Sequence, residues 1–358
     1  MTNARIGTLP RHYERLGLVP GVIGTWEDGL RTGAVDGTFE WWYFDAYLDD
    51  GCTITVEFHT KPPFVSPNAP LTPFVLLTMT DPRGIRSDKT YLGDPAHFHA
   101  SDTDCDVRIG PNTFTRDGGR YLIHVEIDDL TADFTLEPEV PPWRPETGHV
   151  FFGDQEEHHI AWLPVVARGV ADAVLSVNGV TRRLAGNGYH DHNWGNIAPR
   201  KVLDHWYWGR ASVGDYTVVT LDFVSHDRYD NARMPAVMVA RDGEILASAV
   251  GAEQVAFAAT DVVEHAETAV PVANCLEYGV SEGDNEFRVR FQRRRDAFTL
   301  DLGEPGAYLR FTGAVTVEHR NGQATTTVAD QSLWELLYFG ARRRHATPTG
   351  PTAIGHQA

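Results

Sequence analysis

Residues 121–127, Tyr-Leu-Ile-His-Val-Glu-Ile, and residues 216–224, Tyr-Thr-Val-Val-Thr-Leu-Asp-Phe-Val, decide the class of fold. In the first, Tyr121, Ile123, Val125 and Ile127 fall on one face of an extended chain, which is the period of a strand with one buried side. The second reads as a buried strand that Asp222 interrupts, with Thr220 on the same face. The same period of two returns at 53–58, at 287–291 and in the two runs that begin at Ala307 and Ala314. Between them lies hairpin chemistry: Asp-Asp-Gly at 49–51, Asp-Gly-Gly at 117–119, Asn-Gly at 178–179, Asp-Gly at 242–243 and Asn-Gly at 321–322. Parallel α/β units would need a helix between successive strands. Residues 251–266 offer the clearest one, and they read equally well as loop and strand. A mainly β, antiparallel protein is the expectation.

Length allows two domains of ordinary size in 358 residues. Residues 137–148, EPEVPPWRPETG, carry four prolines and no apolar period, as a linker or a lid across a cavity mouth would. One β domain is therefore expected over 20–150 and a second over 151–340, each closing a curved sheet around its interior. Residues 341–358 read as a poorly ordered tail.

With 49 acidic against 31 basic residues the formal charge is −18, a field that repels nucleic acid and anionic membranes. Cys52, Cys105 and Cys275 lie far apart, form no CxxC pair and read as free thiols. No window has the length of a transmembrane span, and the first thirty residues lack the apolar core of a signal peptide. The expected setting is the cytoplasm, with no nucleic-acid partner and no membrane segment.

Chemistry concentrates in three places. Residues 186–196, GNGYHDHNWGN, would place His190, His192 and Trp194 on one strand face and Tyr189, Asp191 and Asn193 on the other. A histidine beside an aromatic wall can move a proton in a dry cavity; the same residues can also pin a sheet junction. Residues 204–209, DHWYWG, pair Trp206 with Trp208 on one face. In EWWYFD, residues 40–45, Trp41 and Tyr43 share a face. Such aromatics form core, or wall a cavity for an apolar ligand. Asp222 interrupts an otherwise buried run, and so must be paired, hydrated or raised in pKa; a raised carboxyl is a proton donor. GxGxxG after a strand, GxxxxGK[ST], GxSxG and HExxH are all missing, and HxH pairs are common among 16 histidines. No cofactor and no metal are expected.

GNGYHDHNWGN, followed by DHWYWG and preceded by EWWYFD, resembles the hydroxyneurosporene synthase family, the carotenoid 1,2-hydratase or AttH-like group of tandem lipocalin-like proteins. The resemblance implies two lipocalin-like antiparallel β-barrel domains packed together, with an apolar small-molecule substrate in or between them. It implies hydration of a carbon–carbon double bond without a redox cofactor, and its fungal natural-product relatives include Diels-Alderases. The family's His-x-Trp element matches His192 and Trp194. The aspartate of its later Tyr-x-Asp pair matches Asp222, although Thr220 stands at the tyrosine position. The expected activity is thus a cofactor-free hydratase or proton-initiated cyclase of an isoprenoid-type double bond. Asp222 would donate the proton and His192 would manage water. Trp41, Tyr43, His190, Asn193, Trp194, Trp206 and Trp208 would bind the substrate. A pericyclase or isomerase of a polyketide or terpenoid intermediate is the second expectation, and a non-catalytic carrier of lipophilic ligands the third.

Overall fold

The computed structural model describes residues 3–33, 37–62, 70–303, 306–329 and 332–340, so the tail expected at 341–358 lies outside the described residues. Among them the chain forms two antiparallel sheets, of thirteen and ten strands. The first runs from an edge at Arg86–Leu92 through Phe74–Thr80, Thr53–His59, Phe39–Leu48, Val180–Gly195, His158–Val177 and Leu130–Pro138, and continues to Phe98–Ala100. In the second, the C-terminal strand Ser332–Tyr338 inserts between Leu203–Val213 and Ala307–Asn321. Tyr216–Ser225 follows on the far side of Leu203–Val213.

The sheets change over between Gly195 and Leu203, later than the boundary expected near residue 150. The reason is the long hairpin His158–Val177/Val180–Gly195. Its first strand pairs with Leu130–Pro138 and its second with Phe39–Leu48, so it completes the N-terminal sheet. The proline-rich stretch does not separate two bodies. Val140 and Trp143 are buried between the sheets, and Trp143 Nε1 donates to Ser248 Oγ at 2.8 Å.

Three large apolar cores and one small cluster form among the described residues. Trp42, Phe44, Phe58, Phe114 and Ile123 fill the interior of the first sheet; Val218, Val237, Tyr278, Phe291 and Trp334 fill that of the second. The third lies between the sheets and includes Tyr43, Trp162, Trp206, Trp208, Leu221 and Phe223. This middle core explains the sequence. In Phe39–Leu48 the residues Trp42, Phe44 and Ala46 face inward while Trp41 and Tyr43 face the other sheet. Both sides are covered, so the run is aromatic throughout. Each fully buried large apolar side chain stabilises the fold by about 1.5–3 kcal/mol.

Turn chemistry acts where the sequence placed it. Asn178 and Gly179 take φ of 51° and 76°, the left-handed pair of a two-residue hairpin whose first position asparagine tolerates and whose second suits glycine. Within 251–266 the chain forms the strand Ala256–Glu264. The α-helix among the described residues is Pro10–Leu16, and no described helix is long and apolar enough to cross a membrane.

Candidate active site

Strand register builds a cleft between the two sheets. On the first sheet Asp191 pairs with Tyr43 and Tyr43 with Glu57; one step along, Asn193 pairs with Trp41 and Trp41 with His59. Side chains directly opposite in a ladder share a face, so these form two parallel rows. On the second sheet Leu221, Trp208, Glu335 and Arg310 form one row, and Phe223 and Trp206 begin the next. All twelve of these residues line the cleft, with Ile160, Trp162, Pro199 and Tyr308. It encloses about 680 Å³ of empty volume, part of it open to solvent. Trp162, Leu221 and Phe223 also wall a smaller apolar chamber that continues to Met234, Ala236 and Val250.

One end is ionic. Arg310 reaches across from the second sheet, 3% exposed, and donates through Nη2 to Glu57 Oε1 at 2.8 Å and through Nη1 to Thr55 Oγ1 at 3.0 Å. Its Nε donates to Tyr308 Oη at 2.8 Å and lies 3.4 Å from Glu335 Oε2. Glu335 also accepts from Tyr308 Oη at 2.6 Å and from Trp206 Nε1 at 3.1 Å. Burial opposes the ionisation of Glu57, but the bond from His59 and the charge of Arg310 win and hold it at about 2. For Glu335 burial prevails over the same arginine and raises its pKa. His59 Nε2 donates to Glu57 Oε2 at 3.0 Å. The other ring nitrogen, Nδ1, is buried without a hydrogen-bond partner among the described residues.

The other end holds a single carboxyl. Asp191 accepts from Trp162 Nε1 and from Tyr189 Oη, each at 2.8 Å, and from Asn193 Nδ2 at 2.7 Å. These donors are neutral. Burial outweighs them and raises Asp191 to about 7. Two strand spacings separate its backbone from that of Glu57, roughly 10 Å. Asp191 and the cluster of His59, Glu57 and Arg310 thus sit at opposite ends of an aromatic chamber.

Of the residues expected from sequence, Trp41, Tyr43, Asn193, Trp206 and Trp208 meet in this cleft. His190, His192, Trp194 and Asp222 do not. His192 faces the first sheet's interior: it stacks on Trp42, 4.7 Å between ring centroids, while Nε2 bonds Glu40 Oε1 at 2.8 Å and Nδ1 bonds Glu27 O at 3.2 Å. Both nitrogens are occupied and the residue is fully buried. Trp194 packs on His192 and on Ala161 and Leu163. His190 points into the same interior, to Asp28 and Tyr43 O. Asp222 lies on the opposite face of its strand from Leu221 and Phe223, inside the second sheet. There Arg233 Nη1 donates to it at 2.6 Å, and burial, opposed by that arginine, raises it to about 6.

Sequence reasoning weighed Asp191 beside His190 without giving it a place in the site, and did not single out Glu57, His59, Arg310 or Glu335, all of which line the cleft. The signal was present. Glu57 interrupts Thr53–His59, Arg310 interrupts a run of Ala307–Asn321, and Glu335 interrupts Ser332–Tyr338, each as Asp222 interrupts its own strand. What separates them is which of two buried faces looks into the cleft.

Comparison with known proteins fits this architecture. The Diels-Alderase-like family model matches residues 113–268. The solved structure of the AttH-like protein of Nitrosomonas europaea superposes with a TM-score of 0.62 at 18% identity, covering 89% of this chain and 98% of that one. The chain is thus similar to the AttH-like protein in fold and to the Diels-Alderase-like family over part of its sequence. Kievitone hydratase of Nectria haematococca has a similar fold, with a TM-score of 0.57 at 16% identity over 90% of this chain and 94% of that one. In sequence the chain is 24% identical over 218 residues to the quinolone epoxide rearrangement protein asqO of Emericella nidulans, covering 53% of this chain and 55% of that protein. The matches span about half the length of the curated relatives, or less. At these identities the structural likeness speaks for the fold, two lipocalin-like antiparallel sheets.

Proposed function

We propose that the chain is an enzyme that protonates an apolar small molecule in the cleft between its sheets, and so starts a hydration, cyclisation or rearrangement. One observation carries the reading: a carboxyl raised to about 7, Asp191, faces an aromatic chamber whose far end holds His59, Glu57 and Arg310. Asp191 gives its proton to one carbon of an alkene; the π electrons form the new C–H bond and leave a cation on the neighbouring carbon. The π faces of Trp41, Trp206 and Trp208 stabilise that charge. Where water is admitted, its oxygen attacks the cation and its proton passes to His59 Nδ1, giving an alcohol. Where water is excluded, an internal alkene or hydroxyl closes a ring and His59 takes the proton that is released. Proton return to Asp191 through solvent resets the site, so hydration adds one water and cyclisation changes no mass.

Relatives named for rearranging an epoxide and for hydrating kievitone support this class of chemistry. Incubation of the purified chain with an organic-solvent extract of its host cells tests it. The wild type should consume a component that Asp191→Asn leaves unchanged yet still retains on gel filtration. Equal consumption by the two would remove Asp191 from the mechanism.

A further inference from the structure

We infer that the interior of the first sheet contains a transition-metal site of the zinc class, built by Asp28, Cys105 and His190. One carboxylate oxygen, the sulfur and one ring nitrogen of these three buried residues lie within 4.8 Å of one another. They come from separate places: Asp28 ends the short turn Thr25–Asp28, Cys105 precedes the strand Asp106–Ile109, and His190 sits within Val180–Gly195. No spacing motif joins them, which is why Cys105 reads in the sequence as a spectator thiol.

Four observations favour a cation over an ordinary polar cluster. First, His190 is oriented as a ligand. Its Nδ1 bonds Tyr43 O at 2.8 Å and its Nε2 donates to Asp28 Oδ2 at 3.1 Å, so a cation that displaced the Nε2 proton would find that nitrogen already aimed into the cluster. A backbone carbonyl behind the far nitrogen is the usual support of a metal-bound histidine. Second, the carboxylate is supported in the same way, because Tyr121 Oη donates to Asp28 Oδ2 at 3.0 Å. Third, Asp28 is 3% exposed, and its Oδ1 is buried without a hydrogen-bond partner among the described residues. Fourth, the nearest charges invite compensation. A divalent ion held by the Asp28 carboxylate and a Cys105 thiolate would leave no net charge buried there. Ligands about 2.0–2.3 Å from zinc stand about 3.5 Å apart, so the cluster closes on an ion with side-chain adjustments alone.

The site has a path to solvent. Asp28 and Tyr121 also line a second cavity, about 1000 Å³ of empty volume in part open to solvent, bounded on another side by Pro138, Pro141 and Pro142. Three protein ligands with a fourth position toward a cavity are the arrangement of a zinc ion that keeps an exchangeable water. The proline-rich stretch, read in the sequence as a linker or lid, thus borders the entrance to this site.

Cobalt titration of the full chain, stripped with chelator and returned to metal-free buffer, tests the proposal independently of any turnover. One equivalent of Co²⁺ should produce a thiolate-to-cobalt charge-transfer band and the d–d bands of a tetrahedral ion, and Zn²⁺ should displace both. Cys105→Ser should remove the charge-transfer band, and Tyr121→Phe should weaken cobalt binding about 10- to 100-fold while the band persists at saturation. A wild-type protein with native circular dichroism and no band at stoichiometric cobalt would overturn the proposal and leave a His190–Asp28 ion pair. A band that survives Cys105→Ser would overturn it equally, by placing the metal elsewhere.

Discussion

Replacing Arg310 with Met should cost more stability than any other single change in the cleft. The guanidinium is the buried cation between Glu57 and Glu335, and it ties the second sheet to the first. Methionine preserves much of the apolar stem, so the loss isolates the charge. Removing one partner of a buried pair costs about 3–5 kcal/mol, because the survivor stays desolvated. An independent route gives a similar size. Glu57 falls from 4.5 to about 2 on folding, which corresponds to roughly 3 kcal/mol shared between Arg310 and His59. The sign in pH follows. A depressed carboxyl contributes its full stability above 4.5 and loses it as pH falls toward about 2. In Arg310→Met, Glu57 and Glu335 recover by taking up protons, so the deficit is largest at neutral pH and shrinks on acidification. Urea unfolding of both proteins, followed by tryptophan fluorescence at about pH 7 and about pH 4, measures this directly. Glu57→Gln added to the variant should restore part of the loss. A deficit below about 1 kcal/mol, the range of exposed pairs, or one equally large at both pH values, would refute the ionic account of this end of the cleft.

Further outcomes follow from the same geometry. If Asp191 acts as the acid, turnover should fall about tenfold per pH unit above about 7, as its proton is lost, and a pH–rate profile with no descending limb there would contradict this. His59→Gln should lower kcat by about 10²–10⁴ with a smaller change in KM, whereas a change confined to KM would make it a binding residue. Asp222→Asn should leave turnover near that of wild type, since Asp222 faces the interior of the second sheet. Because burial raises Asp222 from 3.8 to about 6, its ionisation costs stability as pH rises through that range, so the variant's stability should improve relative to wild type between those values; denaturant melts at about pH 4 and about pH 7 compare the two.

The fold was legible because strand period and hairpin chemistry are local. The alternation at 121–127 and the turn at Asn178-Gly179 each report on a few residues, and the sheets follow from them. The division between sheets was less so. Nothing within 158–195 tells which sheet that hairpin completes, because pairing with Phe39–Leu48 is a contact more than a hundred residues distant. The site shows the same limit. Alternation correctly separated Tyr189, Asp191 and Asn193 from His190, His192 and Trp194, yet both faces of that strand are buried. The histidines drew the assignment because their chemistry is conspicuous, while the cleft took the other face. For Asp222 the reasoning about a carboxyl in an apolar run led to a raised pKa, and the structure places that carboxyl beside Arg233 on the far side of its strand from the cleft.

Proton transfer from Asp191 to substrate carbon is the central claim, and product formation in deuterium oxide tests it most directly. Mass spectrometry of the product made from host extract by the wild type should show one deuterium on a carbon that was part of the alkene, non-exchangeable on return to ordinary water. A product formed at full rate with no carbon-bound deuterium would contradict the account and indicate a reaction that rearranges bonds without a proton.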